Sequence, residues 1–369
     1  MLPRELAPYN KHFVKMPSRL QRHNIGRLLA IGRWLPARRA APTFARQSSG
    51  LCVGRLAGEW RVGDLMPAIV LFLVLLAASS AVAQERADCR AFRSAILGTS
   101  VRYCVFLPAS YSSPDAKARR YPVLYLLHGL GGNEREIALS GEWTLLQDLR
   151  RDHGARALLE ARQNTVGDFL VVAPDGGATF YINSRDGKTL YGDFFVREFM
   201  PFIDRTYRVR AERAARGITG FSMGGYGALR IAFAHPELFG SVSAHSAAVM
   251  RDPPQGVNAG ASSGNVAARL LTNVFGNPID QKFWDLNSPF LLAKKNSALL
   301  SKTKIYFDCG TEDSYGFNHG ASELDQALNS AMVPHEFHLY PGGHSVSYLL
   351  VHREASFEFH WRVFDSAHK

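Results

Sequence analysis

Apolar residues follow two alternating rhythms along the chain. VLYLL at 123–127 and FLVVA at 169–173 are short, continuously apolar runs, the pattern of strands covered on both faces. Further strand candidates lie at 92–97, 101–107, 216–220, 240–244, 304–308 and 336–340. Between them, 142–151, 192–207, 223–234, 321–332 and 346–363 carry helical patterning. This alternation predicts βαβ units with right-handed crossovers, hence an α/β fold built on a mostly parallel, doubly wound sheet. The first two strands, joined near Gly98-Thr99-Ser100, are expected to form an antiparallel N-terminal edge. Residues 249–294 break the rhythm and are expected to be an insertion of loops and short helices, with Trp284 and Phe290 as local core. There is no internal repeat and no sign of a second domain.

Composition agrees with one sizeable core: 46% of the 369 residues are apolar and 20% charged. The formal charge of +11 is unevenly placed, because residues 1–65 carry 12 Lys and Arg against 3 Asp and Glu, while 84–369 carry 31 against 29. A part so nearly balanced has no basic excess for phosphate binding, so no nucleic-acid partner is expected. Residues 66–83, MPAIVLFLVLLAASSAVA, end in the A-x-A pattern Ala81-Val82-Ala83 before Gln84. Their apolar run falls short of the roughly 20 residues of a membrane span. A cleaved signal peptide is the expectation, leaving one domain at 84–369 outside the cytoplasm, secreted or periplasmic. Membrane contact would come only through an uncleaved signal segment. The basic extension 1–65 keeps an open status, since a start at Met66 would leave no positive n-region. An oxidising compartment permits a Cys89–Cys104 disulfide, although sequence does not fix the pairing. No C-x-x-C or H-E-x-x-H spacing appears, and no metal or cofactor is expected.

Gly220-Phe221-Ser222-Met223-Gly224 has the spacing of a nucleophile elbow, a tight strand-to-helix turn that lifts a hydroxyl out of a sheet. Gly260-Ala261-Ser262-Ser263-Gly264 has the same spacing in a polar, small-residue stretch that reads as a loop. Only Ser222 follows a strand candidate and precedes an apolar helix, which Pro236 stops. In open α/β sheets ligands bind at the carboxyl ends of strands, and three more polar sets fall there. His128-Gly129-Leu130-Gly131-Gly132 is a glycine-rich turn of the HGGG type, making the N–H groups of Leu130 and Met223 candidate oxyanion donors. Cys309-Gly310-Thr311-Glu312-Asp313 offers a carboxylate to orient an imidazole. Asp308 and Glu312 compete for that role, and Asp313 is favoured because the loop beyond the strand end can reach its neighbour. Pro341-Gly342-Gly343-His344-Ser345 places a histidine on a mobile-looking glycine loop, free to act as general base. His335 and His338 fall on a strand, His352 and His360 in the terminal helix, and His245 and His319 lack glycine context. The order Ser222, Asp313, His344 suits this architecture.

Seven ordered blocks, among them YPVLYLLHGLGG, GITGFSMGGYGAL, DCGTED and PGGHSVSYL, make the chain resemble the esterase D group of α/β-hydrolases. That group includes S-formylglutathione hydrolases, feruloyl and acetylxylan esterases, and antigen 85 mycolyltransferases. The resemblance implies an α/β-hydrolase fold, Ser222 as nucleophile, Asp313 as acid, His344 as base, and Leu130 and Met223 at the oxyanion. It implies a serine esterase acting on a small-molecule or carbohydrate-linked ester without a cofactor. A glutathione thioesterase and an acyltransferase are alternatives within the group, and a catalytically silent binding or adhesion protein is the alternative outside it. The 249–294 insertion varies within the group and settles no substrate.

Overall fold

Among the described residues, eight strands form a single sheet in the order β1-β2-β4-β3-β5-β6-β7-β8. The computed structural model describes residues 85–151, 166–262 and 264–366, so the expected extension 1–65 and signal segment 66–83 lie outside the described residues. The strands are β1 (Arg86–Arg93), β2 (Ser100–Leu107), β3 (Val123–Leu127), β4 (Leu170–Pro174), β5 (Arg216–Phe221), β6 (Ser241–His245), β7 (Lys304–Gly310) and β8 (Glu336–Tyr340). β2 pairs antiparallel with both β1 and β4, and every other pairing is parallel. The main helices are α1 (Glu142–Arg151), α2 (Met200–Thr206), α3 (Met223–Ala234), α4 (Val266–Phe275), α5 (Gln281–Leu286), α6 (Pro289–Lys295), α7 (Phe317–Ser330) and α8 (Val346–Ser366). This is the mostly parallel, doubly wound α/β fold with an antiparallel N-terminal edge that the patterning predicts.

The continuous apolar runs are explained by two cores, one on each face of the sheet. Val123, Tyr125 and Leu127 of β3 join one core with Leu229 and Phe233 of α3. Leu124 and Leu126 join the other with Leu146 of α1 and Phe357 and Phe364 of α8. Successive strand side chains point to opposite faces, so a strand covered on both must be apolar throughout. Each fully buried side chain of this size contributes about 2 kcal/mol.

Three elements differ from expectation. The first strand spans Arg86–Arg93 rather than 92–97. Over 94–97 the backbone turns instead: Ala95 and Ile96 N–H each donate to Glu198 Oε1 at 3.1 Å, and Leu97 N–H donates to Ser94 Oγ at 2.9 Å. Ile96 and Leu97 are apolar because they pack on the core from that turn. Cys89 stands directly opposite Cys104 across the hairpin, and the two form a disulfide. The helix expected over 192–207 widens into a π-helical segment, Phe194–Phe199, ahead of α2. Pro201, in the first turn of α2, has no N–H to donate back into that segment. The insertion is more helical than loop-like: a short helix at Val257–Ser262 precedes α4, α5 and α6, so the Ser262 stretch is not a loop, and no strand leads into it. Asn265 and Asp280 cap α4 and α5 through side-chain acceptors, and Trp284 and Phe290 are buried in the main core.

Beneath α8 the second face holds a buried polar network. Arg353 Nε lies 2.5 Å from Glu142 Oε2, with both side chains only 1% exposed. Arg353 Nη1 also donates to Thr219 Oγ1 of β5 at 2.8 Å. His360 bridges Ser241 Oγ at 2.7 Å and Ser243 Oγ at 2.9 Å, and burial followed by the Arg353 charge pushes its imidazole well below the ordinary histidine range. The network joins α1, α8, β5 and β6.

Candidate active site

β5 ends at Phe221 and α3 starts at Met223, leaving Ser222 alone in the turn with φ +55° and ψ −117°. A serine at positive φ is strained, and it persists only where its surroundings allow nothing else. Gly220 and Gly224 supply that constraint. A Cβ on Gly220 would stand 2.2 Å from the Gly224 carbonyl oxygen, and one on Gly224 would stand 2.0 Å from the Leu127 carbonyl oxygen. Strand and helix therefore approach backbone to backbone, and the serine is thrown outward.

The loop after β8 brings His344 to this hydroxyl. His344 Nε2 lies 2.9 Å from Ser222 Oγ, and His344 Nδ1 lies 2.8 Å from Asp313 Oδ2. A carboxylate only accepts, so the imidazole proton sits on Nδ1 and leaves Nε2 free to accept from the serine. Burial pushes the Asp313 carboxyl up, but the His344 imidazole and the backbone N–H groups of Tyr315 and Phe317 outweigh it and hold Asp313 below its ordinary value. Tyr315 N–H donates to the second carboxylate oxygen at 2.9 Å. The neighbouring Cys309 is no rival nucleophile, because burial and the adjoining Asp313 push its thiol up to about 12.

The two rejected carboxylates are accounted for. Glu312 is exposed. Asp308 is fully buried with Oδ2 2.7 Å from His245 Nδ1, and it accepts the Tyr348 hydroxyl at 2.9 Å. Burial pushes Asp308 up, and His245 and Tyr348 more than reverse that, keeping it below the usual range. This second His–Asp pair sits under the elbow, where the His245 carbonyl accepts the Ser222 N–H at 3.0 Å.

Across from His344, the His128–Gly132 turn runs beside the elbow. A Cβ on Gly129 would meet Phe221 Cδ1 at 3.3 Å and Ser222 Cβ at 3.7 Å, which places the backbone at Gly129 against Ser222. The Leu130 and Met223 N–H groups have no backbone acceptor among the described residues. Met223 opens α3, where an N–H has no partner within the helix and the helix dipole favours negative charge. The turn is braced from the loop after β4, a part to which sequence reasoning gave no role. Gly176 N–H donates to His128 Nε2 at 2.8 Å, His128 Nδ1 lies 2.7 Å from the Gly129 carbonyl, and Tyr181 hydroxyl donates to the His128 carbonyl at 3.0 Å. Phe180 and Tyr181 both hold positive φ, another strained pair beside the site. The apolar run at 169–173 marks the strand end ahead of them but not what its loop holds.

A parallel sheet that gathers a serine elbow, an imidazole and a carboxylate at its strand ends defines an α/β-hydrolase. Comparison with known proteins places the chain further. It belongs to the Esterase family, which residues 94–354 match. Over 271 residues it is 32% identical to an esterase of Mycobacterium tuberculosis (strain CDC 1551 / Oshkosh), an alignment covering 69% of this chain and 54% of that protein. The chain thus spans about half the length of that relative. It is 28% identical over 207 residues to an acetyl esterase of Caldicellulosiruptor saccharolyticus, covering 54% of this chain and 68% of that one. A solved ferulic acid esterase superposes with a TM-score of 0.60 at 26% identity, over 76% of this chain and 99% of that one.

Proposed function

We propose that the protein is a secreted serine esterase that hydrolyses carboxylic esters of acylated carbohydrates through an acyl-Ser222 intermediate. The observation that carries this reading is the unbroken chain from Ser222 Oγ through His344 to Asp313, at 2.9 and 2.8 Å. His344 Nε2 takes the serine proton as Oγ attacks the ester carbonyl, and returns it to the departing alkoxide. Asp313 holds the imidazole in its tautomer and balances the imidazolium. The N–H groups of Leu130 and Met223 receive the oxyanion of the tetrahedral intermediate. Water, activated by the same histidine, then attacks the acyl-serine and releases the acid. Family membership supports ester chemistry, as do the acetyl and ferulic acid esterases to which the chain is similar, and acylated carbohydrate is the substrate class that the resemblance to feruloyl and acetylxylan esterases implies. The A-x-A pattern at 81–83 and the Cys89–Cys104 disulfide support a compartment outside the cytoplasm.

The test is Ser222→Ala assayed on p-nitrophenyl acetate, together with labelling of the wild type by a fluorophosphonate. The variant is expected to lose about four powers of ten or more in kcat, and the label to attach at Ser222 alone. Near wild-type turnover by the variant would refute the acyl-enzyme. A wild type that neither turns over nor labels would favour a binding protein on a hydrolase fold.

A further inference from the structure

His344 is enclosed by aromatic rings that the proposed chemistry does not itself require. Phe221 lies tilted against it with centroids 4.8 Å apart, and Tyr315 and Phe317 meet it edge-on at 4.9 and 5.5 Å. Of these, Tyr315 differs in being 67% exposed. An exposed tyrosine on a loop would ordinarily lose its orientation to solvent motion. This one is held by two contacts: its ring stacks at 5.5 Å and 16° on Phe317, which itself packs on the main core, and its N–H is bonded to Asp313. A large ring is therefore kept in one orientation at the mouth of the site, with most of its surface open.

Its position assigns the part of the substrate it meets. The acyl carbonyl must point its oxygen at the Leu130 and Met223 donors while its carbon faces Ser222 Oγ. The leaving oxygen must reach His344 Nε2, since that atom protonates it. The alcohol then leaves beside the imidazole, which the Tyr315 ring meets edge-on at 4.9 Å. We propose that Tyr315 is the platform for the leaving alcohol, and that it selects esters whose alcohol is a sugar ring. The C–H face of a pyranose is flat and apolar while its hydroxyls radiate outward. Such a ring can cover an immobilised tyrosine face and keep its hydroxyls in water, at little ordering cost to the protein. A short linear alcohol has no comparable face. This inference rests on the esterase reading and adds to it which half of the ester is recognised, and by which residue.

The measurement compares kcat/KM on 6-O-acetylglucose, ethyl acetate and ethyl hexanoate for wild type, Tyr315→Ala and Tyr315→Phe. The first two esters share an acyl group and a primary alkoxide, and the last two share an alcohol. Tyr315→Ala is expected to lower the preference for acetylglucose over ethyl acetate about five- to tenfold, the scale of one lost ring contact. Its preference between the two ethyl esters is expected to stay within about twofold, and Tyr315→Phe is expected to retain the sugar preference. A parallel measurement needs no turnover: saturation transfer to methyl glucoside in Ser222→Ala protein, expected to vanish when Tyr315→Ala is added. Equal loss on acetylglucose and ethyl acetate would overturn the platform, leaving Tyr315 only a support for His344. A change in acyl preference, or unaltered methyl glucoside binding, would overturn it as well. Failure of the esterase reading is distinct, because the wild type would then cleave none of the three esters while the glucoside measurement would still decide the platform.

Discussion

At Ser222 a backbone angle, two missing side chains and a neighbouring loop act on one hydroxyl. The positive φ is imposed by Gly220 and Gly224, whose places admit no Cβ, and the sequence shows this directly because only glycine satisfies so close an approach. His344 was legible for a related reason, since a histidine after two glycines at a strand end has few structural duties. The acid was harder. Asp308 and Asp313 differ by five positions, and what separates them is His245, which engages Asp308 from the adjacent β6. No local pattern reveals a partner supplied by another strand. Asp313→Asn should therefore cost activity without costing the fold: kcat on p-nitrophenyl acetate is expected to fall about four powers of ten while circular dichroism and melting stay near wild type. An equal loss from Asp308→Asn with native stability would show that the acid had been misassigned. Tyr315 was invisible in sequence, because an exposed aromatic reveals nothing until the ring beneath it is seen.

Elements were legible where burial alone decides them and less so where polar contacts do. β3 and β4 are apolar on both faces and matched expectation, whereas β1 is an edge strand of sequence RADCRAFR, with no apolar run to mark it. Its boundary is set by Glu198, a residue 102 positions beyond Ile96, which captures the 94–97 backbone into a turn. The same holds under α8, where Arg353 appears to a sequence reader as one charge on an amphipathic helix but is in fact fully buried. Glu142 is its counter-charge, and removing one partner strands the other in the core. Arg353→Met is expected to destabilise by about 3 to 5 kcal/mol, and adding Glu142→Gln to recover a large share of that loss. Urea unfolding of the two variants reads the difference, and equal stability of the single and double variants would deny the pair its role.

For the whole molecule, the hairpin of β1 and β2 is the extreme edge of the sheet, and the Cys89–Cys104 bond joins its two strands to each other. The bond spans 15 positions, so its loss is expected to cost about 3 kcal/mol through the freedom it returns to the unfolded chain. Cys89→Ser with Cys104→Ser should lower the urea midpoint accordingly, with esterase activity at ambient temperature retained. An unchanged midpoint would mean that the hairpin holds without it.

The pairing of those cysteines has a further consequence. Cys89 and Cys104 are direct partners in the antiparallel register, and a slip of one residue would turn one sulfur to the opposite face of the sheet. Oxidation is then favoured in chains whose edge is paired in this register, and the bond, once formed, holds the register in place. Labelling of Cys89 and Cys104 as free thiols in a preparation would then count the molecules in which this lock has not closed.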